Sequence, residues 1–210
     1  DPVEKVDKEN KIVTTSKGIE VEYDICIFAT GSKAFVLPIP GSNLSSVIGW
    51  RTIDDTNKMI EIAQTKKRAV VIGGGLLGLE CARGLLDQGM EVTVLHLADW
   101  LMEMQLDRKA GDMLKADLEK QGMKIELQAN SKEIIGDKDV EAIKLADGRV
   151  IETDLVVMAV GIRPYTEVAK DSGLDVNRGI VVNDYMQTSD SHIYAVGECA
   201  EHDGKVYGLV

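Results

Sequence analysis

The chain has 210 residues, 44% hydrophobic and 28% charged, with a formal net charge of −11. That field repels a polyphosphate surface and argues against nucleic acid as a partner, yet it permits a dinucleotide, because N–H groups at a helix start hold a pyrophosphate locally. No apolar run is long enough for a bilayer, no secretion leader opens the chain, and Cys26, Cys81 and Cys199 lack CxxC or metal-ligand spacing; the expectation is a cytoplasmic protein with no membrane partner, bound metal or redox disulfide.

The first elements in the chain belong to a repeat. Val13–Gly31 reads VTTSKGIEVEYDICIFATG, and Ile143–Gly161 reads IKLADGRVIETDLVVMAVG. Gly18 matches Gly148, Glu22 matches Glu152, Asp24 matches Asp154, Ala29 matches Ala159 and Gly31 matches Gly161. Each copy reads as a strand, a glycine turn, a second strand and an apolar run closing on glycine. Such a run fits a strand covered on both faces. The second copy is preceded by a glycine-rich motif, Gly73 to Gly78. A first copy built alike would have its own motif before Asp1, so the sequence is expected to be a segment of a longer chain. At the other end, Tyr207–Val210 reads as the start of a helix.

Between the copies, Thr52 and Asp55 form a capping-box pattern that opens a helix through Met59, Ile60 and Ala63. Arg68–Gly78 (RAVVIGGGLLG) follows. Ala69–Ile72 is an apolar β-former run, and Gly73, Gly75 and Gly78 complete G-x-G-x-x-G. Leu77–Gln88 reads as a helix, apolar at Leu79, Ala82, Leu85 and Leu86 and stopped by Gly89. Glu91–His96 reads as the next strand. A lone glycine motif is weak, but strand, motif, helix and strand together form the dinucleotide-binding βαβ unit. The first glycine allows the tight turn, the second admits the pyrophosphate, and the third lets helix and sheet approach. The expected NAD(P)H set begins with Gly73, Gly75, Leu76, Leu77 and Gly78 at the helix N-terminus.

The end of the second strand normally carries an acid for the adenine ribose 2′-hydroxyl. His96 stands there, with Asp99 three residues on. A histidine can serve a hydroxyl or, when charged, a 2′-phosphate, which leaves NADH and NADPH both open. Further along, Asp107 caps a helix with Ala110, Met113, Leu114 and Leu118 on one face and Gly122 as its stop. Met123, Ile125 and Leu127 alternate as a strand.

Four segments now resemble the pyridine nucleotide-disulfide oxidoreductases, the flavoproteins with two dinucleotide-binding domains. They are FATGS (Phe28–Ser32), GGGLLGLE (Gly73–Glu80), GIRP (Gly161–Pro164) and TSDSHIYAVGE (Thr188–Glu198). Within the family, HLADWLMEMQLD (His96–Asp107), GIRPYTEVAKDSGL (Gly161–Leu174) and VGECAE (Val196–Glu201) are most similar to the large subunits of assimilatory NAD(P)H nitrite reductases. The resemblance implies an α/β fold. A Rossmann-like NAD(P)-binding domain of parallel sheet plus β-meander, residues 51–164, would be inserted into an incomplete FAD-binding domain made of residues 1–50 and 165–210. It places Thr30, Gly31, Gly197 and Glu198 at FAD, the carboxylate accepting from the ribityl chain. It places Glu80 and Gly161 near the nicotinamide half of NAD(P)H, and more weakly Lys33 near the flavin. Arg163 reads equally as a cofactor or a surface residue. Cys81 and Cys199 read as packed thiols, and Trp50 and Trp100 as packing aromatics.

The implied activity is electron entry: hydride passes from NAD(P)H to FAD and then to downstream redox domains of the parent chain. Iron–sulfur and sirohaem centres would belong to those other domains, and no side chain here need act as nucleophile or acid. A homodimer is compatible with this reading. The rival enzyme is a stand-alone flavoprotein: a ferredoxin, rubredoxin or disulfide reductase, or an NADH oxidase. The non-enzyme alternative is a module that senses NAD(H).

Overall fold

A computed structural model describes residues 1–207. The expected helix start at Tyr207–Val210 falls, beyond Tyr207, outside the described residues. The chain divides into two compact units, residues 1–33 with 162–210, and residues 34–161.

The first unit opens with a three-stranded antiparallel sheet of β1 (Val3–Asp7), β2 (Ile12–Thr15) and β3 (Glu20–Glu22). Gly18 turns β2 into β3 with φ +75°, a region open to glycine at no steric cost. The apolar run then becomes β4 (Cys26–Phe28), and β5 (Ser32–Ala34) follows Gly31.

The second unit is a three-layer structure. β6 (Val47–Gly49) leads into α1 (Ile53–Ala63), then β7 (Arg68–Ile72), α2 (Leu76–Asp87), β8 (Glu91–Leu95), α3 (Arg108–Lys120) and β9 (Lys124–Glu126). A meander follows: β10 (Ser131–Gly136), β11 (Val140–Leu145) and β12 (Val150–Glu152), before β13 (Leu155–Met158). The central sheet runs β6-β13-β7-β8-β9 with every pairing parallel. Its strands are apolar without interruption because both faces are covered. Ala69, Val71, Val92, Val94, Leu155 and Val157 pack on the helix side with Leu79, Ala82, Leu85 and Met59. Val70, Ile72, Leu95, Val156 and Met158 pack on the meander side with Ile134, Ile143 and Leu145. Each of the valine, leucine, isoleucine and methionine side chains contributes about 2 kcal/mol by leaving water. The capping expectations hold: Thr52 and Asp55 form a reciprocal capping box on α1, and Asp107 accepts from Ala110 N–H to cap α3.

Returning to the first unit, β14 (Ile162–Pro164) precedes α4 (Glu167–Asp171), β15 (Ile180–Val182) and β16 (Ile193–Ala195). A 3-10 turn at Gly197–Cys199 leads to β17 (Ala200–His202) and β18 (Lys205–Val206). β16 runs parallel beside β4, and β15 parallel beside β17. Val6, Phe28, Leu174, Ile180, Ile193 and Cys199 are among the residues of this unit's separate core.

The expected α/β class, with parallel sheet and meander, is what the chain forms. The divisions expected at 50/51 and 164/165 differ from the compact units. Residues 34–50 cluster with the five-stranded sheet because β6 hydrogen-bonds to β13, Val47 opposite Val156 and Gly49 opposite Met158.

Candidate dinucleotide-binding site

The glycine-rich loop joins the C-terminal end of β7 to α2, and each glycine has its own reason. At Gly73, φ is +120° and an added Cβ would lie 2.3 Å from the Ala159 carbonyl oxygen. At Gly78 a Cβ would lie 1.9 Å from the Gly73 carbonyl oxygen, so helix and turn touch only without side chains. At Gly75 nothing lies within 4 Å of an added Cβ. That glycine is not required by the protein's own packing, and the volume is left for something outside it.

α2 also begins differently from its neighbours. α1 and α3 have side chains bonded to their first-turn N–H groups, whereas α2 has Gly75 at its N-cap, no side-chain cap and no acid in its first turn. The N–H groups and positive dipole end at Leu76, Leu77 and Gly78 are thus presented to an anion. Leu76 and Leu77 are exposed, while Gly78 and Leu79 are buried. A cavity of about 510 Å³ borders this loop, bounded by Gly73, Gly74, Gly75, His96, Glu103 and Ser131 among others. This is the volume of a small-molecule site.

His96 is buried at 7% exposure rather than standing on the surface. Gly74 N–H donates to its Nδ1 at 3.0 Å, and its Nε2 lies 2.9 Å from Glu103 Oε2. With Nδ1 accepting, the proton sits on Nε2 and is donated to the carboxylate. Asp99 is exposed and paired with Arg108 at 3.5 Å, away from the cavity. Glu80 is exposed on α2, and neither it nor Gly161 lines the cavity. Gly161 has φ +107° and open space where a Cβ would be, and its carbonyl accepts from Phe35 N–H.

The first unit holds the other expected group. β4 and β16 are parallel neighbours, so Thr30–Gly31 and Gly197–Glu198 leave the same, C-terminal, edge, where ligands of open α/β sheets bind. Gly31 and Gly197 take φ +64° and +75° with open space at each Cβ position. Glu198 is buried at 8% exposure, and the Ser32 hydroxyl donates to its Oε2 at 2.7 Å. That bond joins the two motifs. Ser32 was not foreseen as a site residue, although its place directly after the FATG strand end was a usable signal. The Thr30 hydroxyl donates to the Tyr165 carbonyl at 2.9 Å. Lys33 is exposed and bonded to Glu167 at 2.8 Å, which raises the ammonium's pKa and lowers the carboxyl's. An Arg163 N–H donates to the neighbouring Ile162 carbonyl.

The three cysteines are free thiols. Cys81 is buried on α2 against Met59, and burial pushes its pKa to about 12. Cys199 donates to the Phe28 and Val196 carbonyls inside the core. Both are buried and pack as expected. Among the described residues no group of His, Cys, Asp and Glu could hold a metal ion, and no helix is long and apolar enough to cross a membrane.

Two units, each with glycines at the C-terminal edge of parallel strands, one also with an uncapped helix start, define a dinucleotide-binding protein of the two-site kind. The family model "Pyridine nucleotide-disulphide oxidoreductase" matches residues 1–208, and the chain belongs to that family. It is 58% identical over 206 residues to a nitrite reductase [NAD(P)H] of Bacillus subtilis, spanning 98% of this chain and 26% of the relative. An assimilatory nitrate reductase electron transfer subunit of the same organism is 46% identical, again over 98% of this chain and 27% of the relative. Among solved structures, a ferredoxin reductase from Rhodopseudomonas palustris superposes with a TM-score of 0.91 at 31% identity, covering 96% of this chain and 50% of that one. The chain thus spans about a quarter of the length of these curated relatives.

Proposed function

We propose that the chain is the NAD(P)H-binding, electron-entry part of a flavin-dependent nitrite reductase. The observation that carries the nucleotide claim is the uncapped start of α2, with empty space at Gly75. There the N–H groups of the first turn hold the pyrophosphate of NAD(P)H, and Gly73 and Gly78 keep the turn tight enough to present them. In the first unit, Glu198 fits the hydroxyl-rich part of FAD: a buried carboxylate, fixed by Ser32, accepts where the ligand donates. Gly31 and Gly197 present backbone with no side chain in the way, and the Thr30 hydroxyl is held by the Tyr165 carbonyl beside them. FAD held there would supply the hydride acceptor for the nicotinamide and the onward electron transfer.

Nitrite as the final acceptor is supported by the 58% identity to a nitrite reductase. The iron–sulfur and sirohaem centres of such an enzyme find no ligand cluster among the described residues and would lie on other domains of the whole protein. The three free thiols favour work in a reducing cytoplasm. The likeness to a ferredoxin reductase supports a second reading, a flavoprotein that reduces a small electron carrier. The test is the visible spectrum of the full-length protein before and after NADH, and again after nitrite. Flavin and sirohaem bands that NADH bleaches and nitrite restores establish the first reading. A flavin band alone, bleached by NADH and unmoved by nitrite, establishes the second.

A further inference from the structure

His96 occupies the strand-end position where a dinucleotide fold needs an acceptor for the ribose diol, but both its ring nitrogens are committed to protein partners. What the ring presents to the cavity is Glu103. The carboxylate lines the same cavity as Gly73, Gly74 and Gly75, and its side chain is 35% exposed. A carboxylate offers about four acceptor positions, and His96 takes one.

The loop that brings Glu103 there is fixed at several points. The Gly74 carbonyl accepts from Met102 N–H at 3.0 Å, and Met102 takes φ +58° to make the turn. Gly74 has no room for a side chain: a Cβ would lie 2.6 Å from Leu101 and 2.7 Å from the His96 ring. Trp100 donates to the Leu106 carbonyl at 3.0 Å across the loop. The cavity wall also carries Ser131, whose buried hydroxyl has no hydrogen-bond partner among the described residues. Among the described residues no lysine or arginine lines the cavity. Arg108, on the helix that follows, is engaged by Asp99 and Asp112.

We propose that Glu103 accepts the adenine ribose 2′-hydroxyl, held in place by His96 as a positioning residue, and that the site therefore takes NADH and rejects NADPH. The inference rests on the dinucleotide reading above. A 2′-hydroxyl donates to a carboxylate. A 2′-phosphate brings only acceptors and like charge, with no cation in the wall to meet it.

The test is calorimetric titration of the full-length protein with NADH and NADPH, for wild type and for Glu103→Gln, Glu103→Ala, His96→Ala, His96→Gln and Gly75→Val. Wild type is expected to favour NADH by at least tenfold. Glu103→Ala weakens NADH binding by on the order of tenfold, as loss of a charged hydrogen bond does, and strengthens NADPH binding, so the ratio approaches one. Glu103→Gln, which keeps the shape, moves the ratio the same way. His96→Ala lowers the ratio too, and His96→Gln, which still offers an acceptor to Gly74 and a donor to Glu103, restores part of it. A merely structural loss would weaken both ligands equally. If the Glu103 variants leave the ratio unchanged while Gly75→Val abolishes both ligands, the assignment of Glu103 is overturned and the dinucleotide site stands. If wild type binds neither ligand, both fall.

Discussion

Val13–Gly31 and Ile143–Gly161 share one pattern and one backbone path, yet their last strands end in different surroundings. Each copy makes an antiparallel hairpin on a positive-φ glycine, then a strand closing on a second such glycine. In the second copy that strand, β13, lies between β6 and β7, and Leu155, Val156 and Val157 are each 0% exposed. In the first copy the strand, β4, is paired with β16 alone among the described residues, and Ile27 is 60% exposed. An apolar run specifies a strand that needs cover; among the described residues β13 has a strand on each side, and β4 has one.

The largest test of that contrast is a charge placed at equivalent positions. Val157→Asp buries a carboxylate between two layers and is expected to cost at least about 4 kcal/mol, enough to abolish cooperative thermal unfolding of this chain. Ile27→Asp should move the melting temperature little. Equal loss from both would mean that β4 is covered as well as β13.

The next test compares the acids that precede the two strands. Asp154 accepts from Arg68 at 3.1 Å and from its backbone N–H at 2.9 Å, and the guanidinium holds its carboxyl below the usual value of 3.8. Asp24 is exposed. Asp154→Asn should cost about 1 kcal/mol, allowing for solvent around Arg68, and Asp24→Asn within about 0.5 kcal/mol. A carboxyl whose folded pKa is depressed stabilises the fold above its unfolded pKa, and that contribution disappears as pH falls through the lower folded value. The gap between wild type and Asp154→Asn in urea midpoints should therefore be full at neutral pH, shrink below pH 3.8 and close under stronger acid.

The smallest difference between the two copies is expected at their turn glycines. Gly18 and Gly148 have φ +75° and +94° and open space at the Cβ position. Alanine at either should cost about 1 kcal/mol from backbone strain alone, read as equal shifts in urea midpoint. A larger loss at one would show that its hairpin bears a load the other does not.

What the sequence made legible was local. The capping residues Thr52, Asp55 and Asp107, the glycine loop, the helix stop at Gly89 and the repeat each depend on residues close together or in fixed register. What it hid depends on distant pairing. β6 joins the central sheet only because β13 returns beside it, so a boundary placed at 50/51 had no local sign against it. The Ser32–Glu198 bond spans 166 positions. Glu103 reaches the cavity through a positive-φ methionine and a hydrogen bond to Gly74, neither of which side-chain periodicity encodes. His96 was legible as a position of interest, but its burial and its two protein partners were not.

Gly111 has a consequence for anyone engineering this chain. Glycine inside a helix costs up to about 1 kcal/mol against alanine, so a routine stabilising programme would replace Gly84 and Gly111 alike. Gly84 has nothing within 4 Å of an added Cβ, and the replacement there is sterically free. At Gly111 the added methyl would lie 2.6 Å from the Trp100 ring and 2.8 Å from the Leu101 carbonyl. The helix is notched to seat the loop that carries Glu103, and filling the notch would exchange thermal robustness for a displaced carboxylate some distance from the edited residue.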